Sequence, residues 1–206
     1  MSPCPQGVDS GFSAERPLEY SAVPYDDDNE TYVVCSTFRI ILFRMSKVSH
    51  DSETPAYGQQ VITACAFIHR TIEGTEKVFL PKRADTKKFL PGKYELPGGH
   101  IDYGEDITAG LRREIEEELS VVVNLGDPFA VFTYTNEVKG SHSIEVVYFA
   151  QVAGNPDDIT TNPEDHSTSG WFSEGEAVQL NGNDNDEEVA VIRKAFALLR
   201  GESPLF

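Results

Sequence analysis

Apolar and polar positions along the chain switch between two periods, and the switches mark the elements. Residues 61–68, Val-Ile-Thr-Ala-Cys-Ala-Phe-Ile, are almost continuously apolar, which suits a strand buried on both faces. Residues 78–83 read as its hairpin partner, joined through Glu73-Gly74. Ile107, Leu111, Ile115 and Leu119 then recur every fourth residue, the stripe that an amphipathic helix buries. Three more strands are predicted over 121–123, 129–135 and 144–152, the last two flanking a hairpin near Lys139-Gly140. Trp171-Phe172 opens a further short strand, residues 173–176 lead into a brief helix over 177–180, and residues 189–199 form a closing amphipathic helix. Strands, helix, strands, helix is the order of an α/β/α sandwich.

Before residue 59 the pattern weakens. Pro3, Pro5, Pro17 and Pro24 and the run Asp26-Asp27-Asp28 surround little apolar periodicity, so the first thirty residues are expected to be loose. Tyr32 to Cys35 and Phe38 to Phe43 have strand-forming composition, and residues 46–58 return to loop composition. The chain thus divides into an N-terminal extension over 1–58 with one or two strands, a core over 59–183, and a C-terminal helix and tail over 184–206. Those added strands either extend the core or form a small subdomain that specifies a ligand or makes a homodimer.

Composition narrows the function classes. With 39% hydrophobic and 10% aromatic residues, the 206-residue chain has an ordinary globular core. It holds no apolar run long enough to span a membrane and no secretory leader, so a soluble, cytoplasmic protein is expected. Cys4, Cys35 and Cys65 are scattered, which fits reduced thiols and no structural zinc. A net charge of −17 argues against long nucleic acids, which need a stripe of Lys and Arg. A small phosphorylated ligand remains compatible with an acidic site if divalent cations neutralise both sides. The acidic run from Asn183 to Glu188 reads as a solvated helix start.

The chemistry concentrates between Gly98 and Val121. A glycine pair precedes a helix on which Glu114, Glu117 and Glu118 stand at i, i+3 and i+4, projecting three carboxylates from one arc. Like charges so placed repel unless a cation sits among them. Gly99, Glu105, Arg113, Glu114, Ile115, Glu117, Glu118 and Val121 follow the spacing of the Nudix hydrolase signature, and the segment resembles that family. Ser120 departs from it, standing where the family has a glycine that caps the helix in the left-handed conformation. A serine there is strained by about 1 kcal/mol.

The resemblance implies a Nudix-type α/β/α sandwich with a mixed β-sheet and a Mg²⁺- or Mn²⁺-dependent hydrolase of diphosphate linkages in nucleotide derivatives. It makes Glu114, Glu117 and Glu118 the metal ligands, joined by the backbone carbonyl of Gly98 or Gly99. Arg113, paired with Glu105, would orient those ligands. The general base comes either from the helix, as Glu117 or Glu118, or from the loop before Trp171, as Glu164 ahead of Asp165. Lys82 and Arg83 are candidates for phosphate contacts, and Phe79, Tyr94, Phe132 and Tyr134 for stacking on a base, although aromatics at such positions more often fill a core. The five histidines show no ligand spacing, and His100 lies nearest the expected metal. Nucleoside triphosphates or oxidised nucleotides lead as substrates, ahead of ADP-ribose and nucleotide sugars. The rival of another class is a non-hydrolytic nucleotide sensor. Such a protein would be expected to lose signature glutamates, and all four are present.

Overall fold

The structure, a computed structural model, describes residues 20–24, 31–35, 55–182 and 186–203. The chain forms two compact units, residues 1–47 and 48–206. In the first, β1 (Tyr20–Pro24) pairs antiparallel with β2 (Thr31–Cys35), Tyr20 opposite Cys35. β2 falls where Tyr32 to Cys35 predicts a strand, whereas β1 falls within residues expected to be loose. Five residues with a single strongly apolar side chain, Val23, leave too short a pattern to read. The stretch from Phe38 to Phe43 lies outside the described residues.

The second unit is built on β3 (Gln60–Ile72), which meets three partners. It turns at Glu73-Gly74, both at positive φ, into β4 (Thr75–Arg83). Its first half pairs antiparallel with the three-residue β5 (Gly98–His100), Cys65 opposite Gly98. After α1 (Ile107–Leu119), β6 (Val123–Asn136) and β7 (Ser141–Val152) form the long hairpin, and β7 runs parallel to β3 along its other edge. β8 (His166–Phe172) pairs with β4, giving the order β6-β7-β3-β4-β8 with β5 beside β3. α2 (Glu174–Asn181) and α3 (Glu187–Leu199) close the chain. The sheet is mixed, as the motif resemblance implied.

The strand expected over 129–135 lies within β6, and of the one expected over 121–123 only Val123 is extended, as the first residue of that same element. The pairing of β6 with β7 shifts register around Pro128, which has no N–H to give to the ladder. The interruption in the sequence is therefore an irregularity within one strand. α2 and α3 each begin earlier than their apolar stripes, because polar residues open them: Ser173 N–H donates to Glu176 at 2.8 Å, and the Asp186 carboxylate accepts from Glu188 N–H.

Alternation in β3 assigns the layers. Ala64, Ala66 and Ile68 face α1 and pack with Leu111, Ile115, Leu119 and Tyr148. Cys65 and Phe67 face the other way, with Val147 of β7, against Ile192, Ala195 and Phe196 of α3. Burial on both faces explains the continuous apolar run. Ser120 ends α1 at φ 57°, ψ 29°, donating its N–H to the Glu116 carbonyl. Ser120→Gly is expected to raise unfolding free energy by up to about 1 kcal/mol, the left-handed strain less glycine's added chain entropy. Denaturant titration checks it, and a loss of stability would refute the strain.

Candidate active site

The site begins with two glycines that let backbone and carboxylate come close. Gly98 has φ 146°, and a Cβ on it would lie 2.2 Å from the Ala64 carbonyl oxygen and 2.6 Å from Cys65 Cα. A Cβ on Gly99 would sit 2.4 Å from Glu114 Oε2. The absence of side chains here therefore lets the loop pass against β3 and Glu114 lie against the loop. α1 follows, its N-terminus capped by the Asp106 carboxylate, which accepts from Thr108 and Ala109 N–H at 3.0 Å each. Burial of Leu111, Ile115 and Leu119 fixes the roll of the helix, and that roll aims the glutamate arc at the Gly98–His100 strand.

Arg113 organises the arc. Its guanidinium donates to both Glu105 oxygens at 3.1 Å, to Glu114 Oε1 at 2.9 Å, to Glu117 Oε2 at 3.3 Å and to the His100 carbonyl at 3.1 Å. The hydrogen bonds to Glu105 lead in holding its pKa above the ordinary arginine value. Glu118 is set apart: its Oε2 accepts from Gly98 N–H at 3.2 Å. Burial first, then the neighbouring Glu95 and Glu114 charges, push the Glu118 carboxyl well above the usual carboxylate range.

These atoms fit a hard divalent cation. The donors are carboxylate and carbonyl oxygens, the set suited to Mg²⁺ or Mn²⁺, and the charge they concentrate is of the sign a cation offsets. Among the described residues no three His, Cys, Asp or Glu side chains stand ready-gathered at ligand spacing. Glu105, Glu114 and Glu117 fan instead around the Arg113 guanidinium, and Glu118 turns to Gly98 N–H.

The arc forms one wall of a cavity of about 1480 Å³, lined also by Gly98, Gly99, Arg83, Phe132, Tyr134, Glu145 and Glu164. Most of the expected site residues therefore come together. Lys82 and Tyr94 do not line this cavity. They bridge to each other, and the Tyr94 ring packs edge-on to Phe172 with centroids 5.4 Å apart. Strand alternation gives the reason, since it is Arg83 that lines the cavity. Arg83 is held by both Glu95 oxygens at 3.0 Å and by the Phe89 carbonyl at 2.8 Å, so much of its charge is matched within the protein. Phe79 is core, edge-on to Trp171. His100 is buried, its Nε2 3.4 Å from Lys139 Nζ.

The loop before β8 joins the site through the end of α1. Thr160 N–H donates to the Leu119 carbonyl at 3.0 Å and Asn162 N–H to the Glu118 carbonyl at 2.8 Å. Of its two acids, Asp165 is engaged by Lys87 at 2.6 Å and Asn162 at 2.8 Å. Glu164 is exposed on the cavity wall, and its carboxylate has no hydrogen-bond partner among the described residues.

Sequence reading missed the far wall. The acidic run expected as a solvated helix start supplies Asp186, Glu187 and Glu188 to the cavity. Glu188 accepts from Leu96 N–H at 2.7 Å and lies 3.5 Å from Lys93, and burial, against the pull of Lys93, pushes its carboxyl up to about 8. Glu145 and Thr63, polar residues inside apolar strands, were also passed over. Their signal was a polar side chain interrupting an apolar run.

Residues 61–193 match the family model described as NUDIX domain. An ADP-ribose pyrophosphatase of Methanocaldococcus jannaschii is 29% identical over 83 residues, covering 40% of this chain and 48% of that protein. Nucleoside triphosphatase NudI of Salmonella arizonae is 38% identical over 60 residues, covering 29% and 42%. The chain thus spans about half the length of the curated relatives it matches. Among solved structures, a C. elegans Ap4A hydrolase binary complex aligns with a TM-score of 0.58 at 26% identity, covering 68% of this chain and 98% of that one. No helix among the described residues is long and apolar enough to cross a membrane.

Proposed function

The chain belongs to the NUDIX domain family, and on that premise we propose that it is a Mg²⁺- or Mn²⁺-dependent pyrophosphohydrolase that cleaves the diphosphate linkage of a nucleotide derivative. A nucleoside triphosphate or an oxidised nucleotide is the leading substrate. The observation that carries the reading is the glutamate arc set by Arg113 against the Gly98–Gly99 loop at one wall of a cavity with aromatic rings on another.

In this reading Glu114, Glu117, Glu118 and a carbonyl of Gly98 or Gly99 hold the metal. When bound, it would neutralise phosphate charge and lower the pKa of a water. Arg113 keeps Glu114 and Glu117 at fixed spacing while Glu105 takes the other side of its guanidinium, so the ligands need not reorganise as charge moves. Glu164, rather than the engaged Asp165, takes the proton from the attacking water. Glu164→Gln is expected to lower turnover by about 10²- to 10³-fold and Asp165→Asn by far less. Steady-state rates on both variants decide it, and an unaffected Glu164→Gln would return the role to Glu117 or Glu118.

The reading itself is tested by product release from nucleoside triphosphates, oxidised triphosphates, ADP-ribose, nucleotide sugars and dinucleoside polyphosphates, with Mg²⁺ or Mn²⁺. Turnover of one class supports it and selects the substrate. No turnover of any class, together with measurable nucleotide binding, would favour a sensor.

A further inference from the structure

One end of the cavity carries polar groups for which metal and phosphate have no use. Phe132, Glu145 and Thr63 stand opposite one another on β6, β7 and β3, in one row across the sheet. Their neighbours on the same face, Val147, Cys65 and Phe67, belong to the apolar cluster under α3. A carboxylate is out of place there unless its oxygens are satisfied.

The protein satisfies them in part. Thr63 Oγ1 donates to Glu145 Oε2 at 3.2 Å, and the Cys65 thiol and Tyr134 hydroxyl line the cavity with it. Both stay protonated, since burial and then the Glu145 charge raise the pKa of each. An ionised carboxylate offers about four acceptor positions, and the hydrogen bond from Thr63 fills one, which leaves at least one acceptor position to fill. Glu145 is half-buried and lines the cavity, which gives that position an open side.

The surroundings suit a planar group. The Phe89 and Tyr134 rings lie 6.1 Å apart and 19° from parallel, with Phe132 6.3 Å from Tyr134. Glu145 and the Gly98–Gly99 loop are separated by two strand spacings, about 10 Å, with β3 between them. A nucleotide whose phosphates meet the glutamate arc can lay its base over that gap.

We propose that Glu145 is a specificity-determining residue, whose carboxylate accepts a hydrogen bond from the exocyclic amino group of the substrate's nucleobase. The inference rests on the nucleotide reading above. Adenine and cytosine would satisfy the open acceptor position, whereas hypoxanthine and uracil would set a carbonyl oxygen against it. A hydrogen bond to a charged group corresponds to a preference of roughly 10- to 100-fold.

The test uses the full chain and Glu145→Gln. Binding of AMP against IMP and CMP against UMP is measured calorimetrically with Mg²⁺, and kcat/KM for ATP against ITP and CTP against UTP. The wild type is expected to favour the amino partner by about 10- to 100-fold, and Glu145→Gln to bring the ratio near one, because its amide can turn a donor toward the oxo group. Should that variant fail to fold, Glu145→Asp carries the comparison, since withdrawing the carboxylate by one methylene narrows the ratio. A wild-type ratio near one, or a ratio that the variant keeps, overturns the proposal even if hydrolysis is robust. Absence of hydrolysis with an amino preference in binding that the variant loses would instead sink the enzymatic reading and keep the role of Glu145. No binding and no turnover would sink both.

Discussion

Glu118→Gln is expected to lower turnover by about three orders of magnitude, roughly 4 kcal/mol of transition-state stabilisation, while the protein stays folded. Glutamine keeps an oxygen that can accept from Gly98 N–H, so the loop contact survives. What disappears is the negative charge, which burial and the nearby Glu95 and Glu114 already make costly to maintain. A charge held in such a place is destabilising unless a cation shares it, so its removal should leave stability level or higher while activity falls. Paired measurement of melting temperature and kcat separates the two effects. Near-normal turnover would remove Glu118 from the ligand set, and a large loss of stability would make its role structural.

Gly98→Ala is expected to have the largest effect on folding. The added Cβ would meet the backbone of Ala64 and Cys65 at 2.2 and 2.6 Å, and neither is a side chain that can swing away. The positive φ of 146° adds strain of its own. Together these correspond to a loss of about 4 kcal/mol and a fall in melting temperature of roughly 10 °C. Gly154→Ala is the control, because nothing lies within 4 Å of the place its methyl would take. A melting temperature for Gly98→Ala within a degree of that control would show that β5 can move away from β3.

The parts of the fold with long, regular patterns were legible from sequence. The four-residue stripe from Ile107 to Leu119 gave α1 and its buried face, and the run over residues 61–68 gave a strand covered on both sides. Periodicity failed where one residue altered the pattern locally: Pro128 split β6 in the reading although the strand continues through it. It also failed for β1, where only five residues are involved. In the candidate site the chemistry of the arc could be read because its residues are close in sequence. The opposite wall could not, since Thr63, Glu145 and Glu188 come from three distant elements and meet only when the sheet and α3 assemble. Lys82 and Arg83 show a further limit. Two adjacent cations look equivalent in sequence, yet only Arg83 lines the cavity.

The hydrogen bonds from Thr160 and Asn162 to the last carbonyls of α1 tie the loop bearing Glu164 to the helix exit. The segment from Gly98 to Val121 is therefore not a portable cassette. Transplanted into another chain, it would bring its carboxylates and its arginine but leave behind the acid placed by its own C-terminal turn. Substitutions at Ser120 and changes in the length of the 160–166 loop should accordingly be tolerated in combination more readily than either alone, because each resets the position from which the other is measured.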